Sequence, residues 1–171
     1  DVQMGACISY SKLEGYEEKP TIFFEFHGTE TGAKEQAETV QAIAEEFGGS
    51  AFQWTSKMED RNKLWQARHD AYYAAIALRS GCQGWATDVC VPVSRLAECI
   101  NETKDDLEET GLISPLVGHV GDGNFHMLYI VDPNNQEEMA KAQAHSDRMV
   151  MRALEMGGCL LYTSPSPRDV P

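Results

Sequence analysis

Positive charge is scarce: 14 lysines and arginines stand against 27 aspartates and glutamates, a formal charge of -13 over 171 residues. Such a balance repels polyanions at long range, which argues against nucleic acid or an anionic lipid surface as a partner. Long apolar runs are also missing, none approaching the roughly 18 residues that a bilayer crossing needs. The opening Asp1, Val2, Gln3 has neither the basic nor the apolar region of a signal peptide, so neither a membrane span nor a leader is expected. No C-x-x-C pair occurs among Cys7, Cys82, Cys90, Cys99 and Cys159. Their odd number and mostly apolar settings fit reduced thiols in a reducing compartment, not a disulfide framework or a zinc-thiolate site.

What is present is ordinary for a folded protein, 42 % hydrophobic and 24 % charged residues, and the length suits one domain with a sizeable core. Residues 1–19 end in the charged, turn-prone Glu14, Gly15, Tyr16, Glu17, Glu18, Lys19 and read as a connector from something upstream. Thr21 to Phe26 alternates Ile22, Phe24 and Phe26 at period two and predicts a strand. Gly32 to Phe47 carries Ala33, Ala37, Val40 and Ala44 at helical spacing, closed by Gly48 and Gly49. Ala51 to Trp54 is a short strand, and Glu59 to Leu78 is a second helix with Leu64, Ala67, Arg68, Ala71 and Ala75 on its stripe. Trp85 to Val93 predicts a strand with Pro92 at its end, and Ser94 caps a third helix running to Gly111. Leu112 to Val120 and Phe125 to Asp132 predict two strands around a glycine-rich turn, followed by a helix from Gln136 to Met156.

This order predicts an α+β fold, an antiparallel sheet covered by helices on one face in an elaborated ferredoxin-like arrangement. A doubly wound parallel sheet is the runner-up, but no G-x-G-x-x-G leads from a strand into a helix. The end, Cys159, Leu160, Leu161, Tyr162, Thr163, Ser164, Pro165, Ser166, Pro167, Arg168, Asp169, departs from the pattern, because its Ser-Pro-Ser-Pro can extend neither a helix nor a central strand. It resembles one reading frame of a transposase-type sequencing adapter. Residues 159–171 are therefore expected to be read-through, with genuine sequence ending near Gly158 and Cys159 carrying no functional weight.

Chemistry concentrates in Gly118, His119, Val120, Gly121, Asp122, Gly123, Asn124, Phe125, His126. A two-residue Asp122-Gly123 loop of type I′ would place His119 directly opposite His126. Their Cβ atoms would then lie about 4.5–5.5 Å apart on one face, near enough for two imidazoles to converge on one metal ion. A third ligand, commonly a carboxylate, would complete such a site. Alternatively the hairpin is structural and its histidines satisfy backbone groups. Asp122 reads as a turn former, and Asn124 as a residue that orients a ligand or holds the loop. Arg68 lies on an otherwise apolar helical stripe, where a guanidinium requires an anion: either an internal carboxylate such as Asp88 or the carboxylate of a substrate. His69 reads as a rim residue, His27 and His145 as surface residues, and Lys104 to Glu109 as a solvated helix face.

These segments, with Leu64-Trp65-Gln66-Ala67-Arg68-His69, Thr87-Asp88-Val89-Cys90-Val91-Pro92-Val93-Ser94-Arg95-Leu96 and Phe24-Glu25-Phe26-His27-Gly28, resemble the C-terminal domain of FAD-linked oxidases. The similarity runs from the first residues to about Gly158 and lies nearest the cytochrome-type D-lactate dehydrogenase branch. It implies a fragment of a flavoprotein in which an FAD-binding domain precedes residue 20 and residues 20–158 form a substrate and metal cap. The implied reaction is oxidation of a D-2-hydroxy acid, D-lactate to pyruvate, with a divalent metal, Zn or Mn, polarising the hydroxyl. By resemblance His119 and His126 would be metal ligands, Arg68 would clamp the substrate carboxylate, and Asn124 would lie at the cofactor. The family continues its paired glycines with a segment whose glutamate completes the metal site and whose histidine is the base; this chain departs from it after Gly158, so no catalytic base is expected here. A branch acting on D-2-hydroxyglutarate has a lysine where this chain has Ala86, which favours a small monocarboxylic substrate. The resemblance further implies cytochrome c or a quinone-linked electron acceptor, and a bacterial cytoplasmic or inner-membrane-face location, or a mitochondrial one in a eukaryote. A non-catalytic metal- or ligand-binding module is the alternative, with a zinc hydrolase a weaker third.

Overall fold

The computed structural model describes residues 1–49 and 52–160. They fall into two compact units, one of Asp1–Lys19 with the chain from Ala67 onward, the other Pro20–Gln66. In chain order the elements are α1 (Val2–Ser11), α2 (Glu30–Glu46), α3 (Met58–His69), α4 (Ala71–Ile76), β1 (Gln83–Ala86), β2 (Val89–Cys90), α5 (Val93–Glu108), β3 (Leu116–His119), a 3-10 turn (Val120–Asp122), β4 (Asn124–Val131), α6 (Gln136–Glu155) and β5 (Cys159–Leu160). Of the segment expected to be read-through, 161–171 lies outside the described residues, as do Ser50 and Ala51 at the start of the expected second strand.

The larger unit is built on β4. Along one of its edges β1 and β2 pair in a single continuous register, Ala86 opposite Leu128 and Val89 opposite Phe125, while β3 takes the other edge and β5 extends the sheet beyond β2. Every pairing among the described residues is antiparallel, so the fold is α+β and the parallel runner-up is excluded. The expectation of helices on one face alone is corrected, because β4 is apolar on both. Phe125, Met127, Tyr129 and Val131 meet Leu96 and Cys99 of α5 and Ala142, Met149 and Ala153 of α6. The alternate residues Leu128 and Ile130 turn to Ala75 of α4. Burying each large side chain of β4 contributes about 1.5–3 kcal/mol.

Residues 1–19, read as a connector, contain α1. Ala6 and Cys7 are buried against Ala71 and Ala74 of α4, small side chains that let the helices close, and Gln3 Nε2 donates to the Ala71 carbonyl at 3.0 Å. The single helix expected from Glu59 to Leu78 is divided into α3 and α4 at Asp70. Ser94 lies inside the first turn of α5, whose capping position is Pro92 without a side-chain bond.

In the smaller unit Thr29 caps α2, its hydroxyl accepting from Gly32 N at 3.1 Å. Thr21 to Phe26 is not a strand. The alternation puts Phe24 and Phe26 side by side, rings stacked with centroids 6.1 Å apart, but a strand also needs a ladder for its N–H and C=O groups, and the sheet of the described residues does not include this segment.

Candidate functional site

The turn between β3 and β4 sets the geometry. A type I′ loop would need both Asp122 and Gly123 at positive φ; Gly123 has φ 73 and Asp122 stays at negative φ. Val120–Asp122 instead form a 3-10 turn closed by Gly123 N donating to Val120 O at 3.2 Å. The expected register is therefore corrected: His119 faces Asn124, and Val117 faces His126. The slip is two residues, and since side chains alternate with period two it leaves both histidines on one face. They sit diagonally, ring centroids 6.4 Å apart and planes 89° to each other. Gly118 permits the close approach of β3, since a Cβ there would meet the Asn124 carbonyl oxygen at 2.4 Å.

His126 is held from the break between β1 and β2. Its Nδ1 lies 2.9 Å from the Thr87 carbonyl oxygen and 3.4 Å from Asp88 Oδ1. Both partners only accept, so Nδ1 carries a proton, and in the neutral ring Nε2 keeps its lone pair. Asn124, 5 % exposed, donates from Nδ2 to Asp88 Oδ1 at 2.5 Å and to the Val89 carbonyl at 3.0 Å. Both amide protons are thereby used on the protein, and Asn124 steadies Asp88 beside the histidine.

The last turn of α3 brings Arg68 to the same place. Its Nη2 lies 3.5 Å from His119 Nε2, and because a guanidinium only donates, that nitrogen is the acceptor. Arg68 is half-buried, and desolvation pulls it below the ordinary arginine value, with the Cys7 thiol acting in the opposite sense. Among the described residues no carboxylate forms an ion pair with it. Asp88, the internal partner weighed from the sequence, pairs with Asn124 and His126 instead.

Four residues singled out in the sequence, Arg68, His119, Asn124 and His126, thus converge, and Thr87 and Asp88 join them. Thr87 carried no signal in the hydrophobic pattern, since threonine is an ordinary strand residue. His27 is exposed beside Glu25 at 4.0 Å, and His69 is exposed. His145 is not a surface residue: it is 0 % exposed, between the Tyr129 hydroxyl at 2.5 Å and the Thr103 carbonyl at 3.1 Å. Its spacing with Ala142, Met149 and Ala153 had placed it on the buried stripe of α6. As a metal centre the cluster is partial. The Nε2 lone pair of His126 is a suitable donor, while that of His119 is turned to Arg68, and among the described residues no group of three or more His, Cys, Asp or Glu is arranged to hold an ion.

Residues 2–161 match the family described as FAD linked oxidases, C-terminal domain. The chain is 47 % identical over 158 residues to a "Probable D-lactate dehydrogenase, mitochondrial" of Danio rerio, covering 92 % of this chain and 32 % of that protein. It is 39 % identical over 158 residues to the mitochondrial D-lactate dehydrogenase [cytochrome] of Arabidopsis thaliana, covering 92 % and 28 %. It is 34 % identical over 150 residues to the protein of that name in Kluyveromyces lactis, covering 85 % and 26 %. The chain spans about a third of the length of the curated relatives it matches.

Proposed function

This chain belongs to the family of FAD linked oxidase C-terminal domains, and from that premise we propose that it forms the substrate side of a flavoprotein dehydrogenase oxidising a D-2-hydroxy acid, D-lactate to pyruvate. The observation that carries the reading is Arg68: a half-buried cation with no ion-paired carboxylate among the described residues, beside two histidines on one sheet face. A guanidinium so placed suits a planar carboxylate, which it holds through paired charge-assisted hydrogen bonds. With the carboxylate on Arg68, the adjacent C2 hydroxyl faces His119 and His126, whose Nε2 lone pairs accept its hydrogen or coordinate a divalent ion, Zn or Mn. Bound there, such an ion would supply Lewis acidity to the hydroxyl, and a flavin facing C2 would supply the hydride acceptor. A further metal ligand and the base come from sequence outside the described residues.

In this reading 20–158 serve as the substrate and metal cap, 1–19 lead in from an FAD-binding domain, and Ala86, which offers no cation for a second carboxylate, favours a small monocarboxylic substrate. Electrons pass from the flavin to cytochrome c, following the cytochrome-type relatives, or to a quinone-linked acceptor. A mitochondrial location follows the same relatives. The test is titration of the 171-residue chain with D-lactate and pyruvate, watched by NMR at Arg68, His119 and His126. Replacing Arg68→Gln is expected to weaken binding about 10- to 100-fold, the worth of a charged hydrogen-bonded pair. Equal binding by the variant, or shifts confined to residues far from this face, would sink the assignment.

A further inference from the structure

We infer that Thr87 is a positioning residue whose hydroxyl takes over one rung of the β-ladder and so frees its own carbonyl to hold His126 as the Nδ1–H tautomer. The ladder is interrupted between β1 and β2. Thr87 and Met127 are directly opposed, and Thr87 N donates to the Met127 carbonyl at 3.0 Å, one half of the exchange expected of a hydrogen-bonded antiparallel pair. The other half is diverted: Met127 N donates to the Thr87 hydroxyl at 3.0 Å. The hydroxyl in turn approaches the Met127 carbonyl at 3.3 Å. The Thr87 carbonyl, released from the ladder, accepts from His126 Nδ1 at 2.9 Å.

Asp88 reinforces the arrangement, its Oδ1 3.4 Å from the same nitrogen and held by Asn124. An acceptor behind Nδ1 fixes the ring plane and directs the Nε2 lone pair forward, the arrangement by which outer partners orient a metal-binding or proton-accepting imidazole. In a regular hydrogen-bonded pair the same carbonyl would be directed at Met127 N–H instead. The device thus explains why the strand breaks at Thr87-Asp88, beside His126. The inference deepens the reading of His126 as a donor at the site and rests on it for its purpose, though not for its geometry.

The test uses the 171-residue chain with 15N-labelled histidine, at a pH where the imidazoles are neutral, reading the His126 tautomer from its ring-nitrogen shifts. Wild type is expected to be dominated by Nδ1–H. Thr87→Val keeps shape and strand propensity but lets the carbonyl rejoin Met127 N–H; the tautomer ratio is expected to move roughly fivefold toward Nε2–H. A through-hydrogen-bond coupling from Met127 N to the residue 87 carbonyl carbon, expected to be absent in wild type, appears in this variant. Thr87→Ser restores the wild-type ratio. Asp88→Asn, which leaves the ladder untouched, shifts the ratio about threefold in the same direction and decides the matter should Thr87→Val fail to fold. An unchanged ratio in Thr87→Val, or in Asp88→Asn when the former does not fold, or the Met127 coupling already present in wild type, overturns the inference. Loss of carboxylate binding with these shifts intact would overturn the proposed function instead.

Discussion

Replacing His145 by alanine tests the core on the face opposite the site. The imidazole is fully buried, its Nε2 donating to the Thr103 carbonyl at 3.1 Å and its Nδ1 accepting from the Tyr129 hydroxyl at 2.5 Å. Burial pushes the tyrosine up, so it donates as a neutral phenol. His145→Ala strands that hydroxyl at a cost of about 1–3 kcal/mol, and the missing ring leaves a hole costing about 2 kcal/mol more. The expected loss is about 3–5 kcal/mol, a large share of the roughly 5–15 kcal/mol available to a domain. Urea unfolding should show it as a lower midpoint at unchanged slope. Desolvation holds the folded histidine below its ordinary value, opposed by the Thr103 bond and Asp106, with Arg148 and Arg152 adding to the depression. Because the folded pKa is lowered, the stabilisation is complete above about pH 6.5 and is lost as pH falls toward the folded value. The slope is at most about 1.4 kcal/mol per pH unit. His145→Ala should lack that slope. A loss under about 1 kcal/mol, or a variant that keeps the wild-type pH slope, would refute the account.

Gly123→Ala should cost at least about 2 kcal/mol, part from a left-handed alanine and part from a Cβ that would lie 2.0 Å from the Val91 carbonyl oxygen at φ 73; urea midpoints and loss of His119–His126 ring contacts in NMR check it. Asp106 accepts Arg148 at 2.7 Å and Arg152 at 3.3 Å, and the Arg148 hydrogen bond is the main cause holding it below the usual carboxylate value. Asp106→Asn should therefore cost about 1–2 kcal/mol near neutrality. The gap between variant and wild type should close as pH falls below about 4 through the folded pKa, since a depressed carboxylate stabilises only while ionised; stability curves from pH 7 to 3 decide it.

Much of this was legible in one dimension. The apolar run from Phe125 to Asp132 and the helical spacing of Leu96, Ile100, Thr103 and Leu107 foretold β4 and α5, because such segments must bury their apolar side chains. The apolar stripe around Arg68 and the two histidines flanking the glycine-rich turn pointed to the candidate site, since a cation among apolar residues needs an anion wherever it folds. His145 reads wrongly as a surface residue because its polar neighbours point outward, although it shares the spacing of Ala142, Met149 and Ala153. Other features belong to the assembled sheet. The hairpin register follows from Asp122 keeping negative φ, and Gly123 is seated where Val91 N donates to its carbonyl at 2.9 Å. The failure of Ile22, Phe24 and Phe26 to form a strand reflects the want of a paired edge among the described residues, which no local pattern encodes. The histidine pair and Arg68 were written in the residues themselves, through charge and periodicity. Which nitrogen of His126 carries the proton was decided only when Thr87 met Met127 across the sheet, because a tautomer depends on the acceptor behind the ring, and that acceptor lies 39 positions away in the chain.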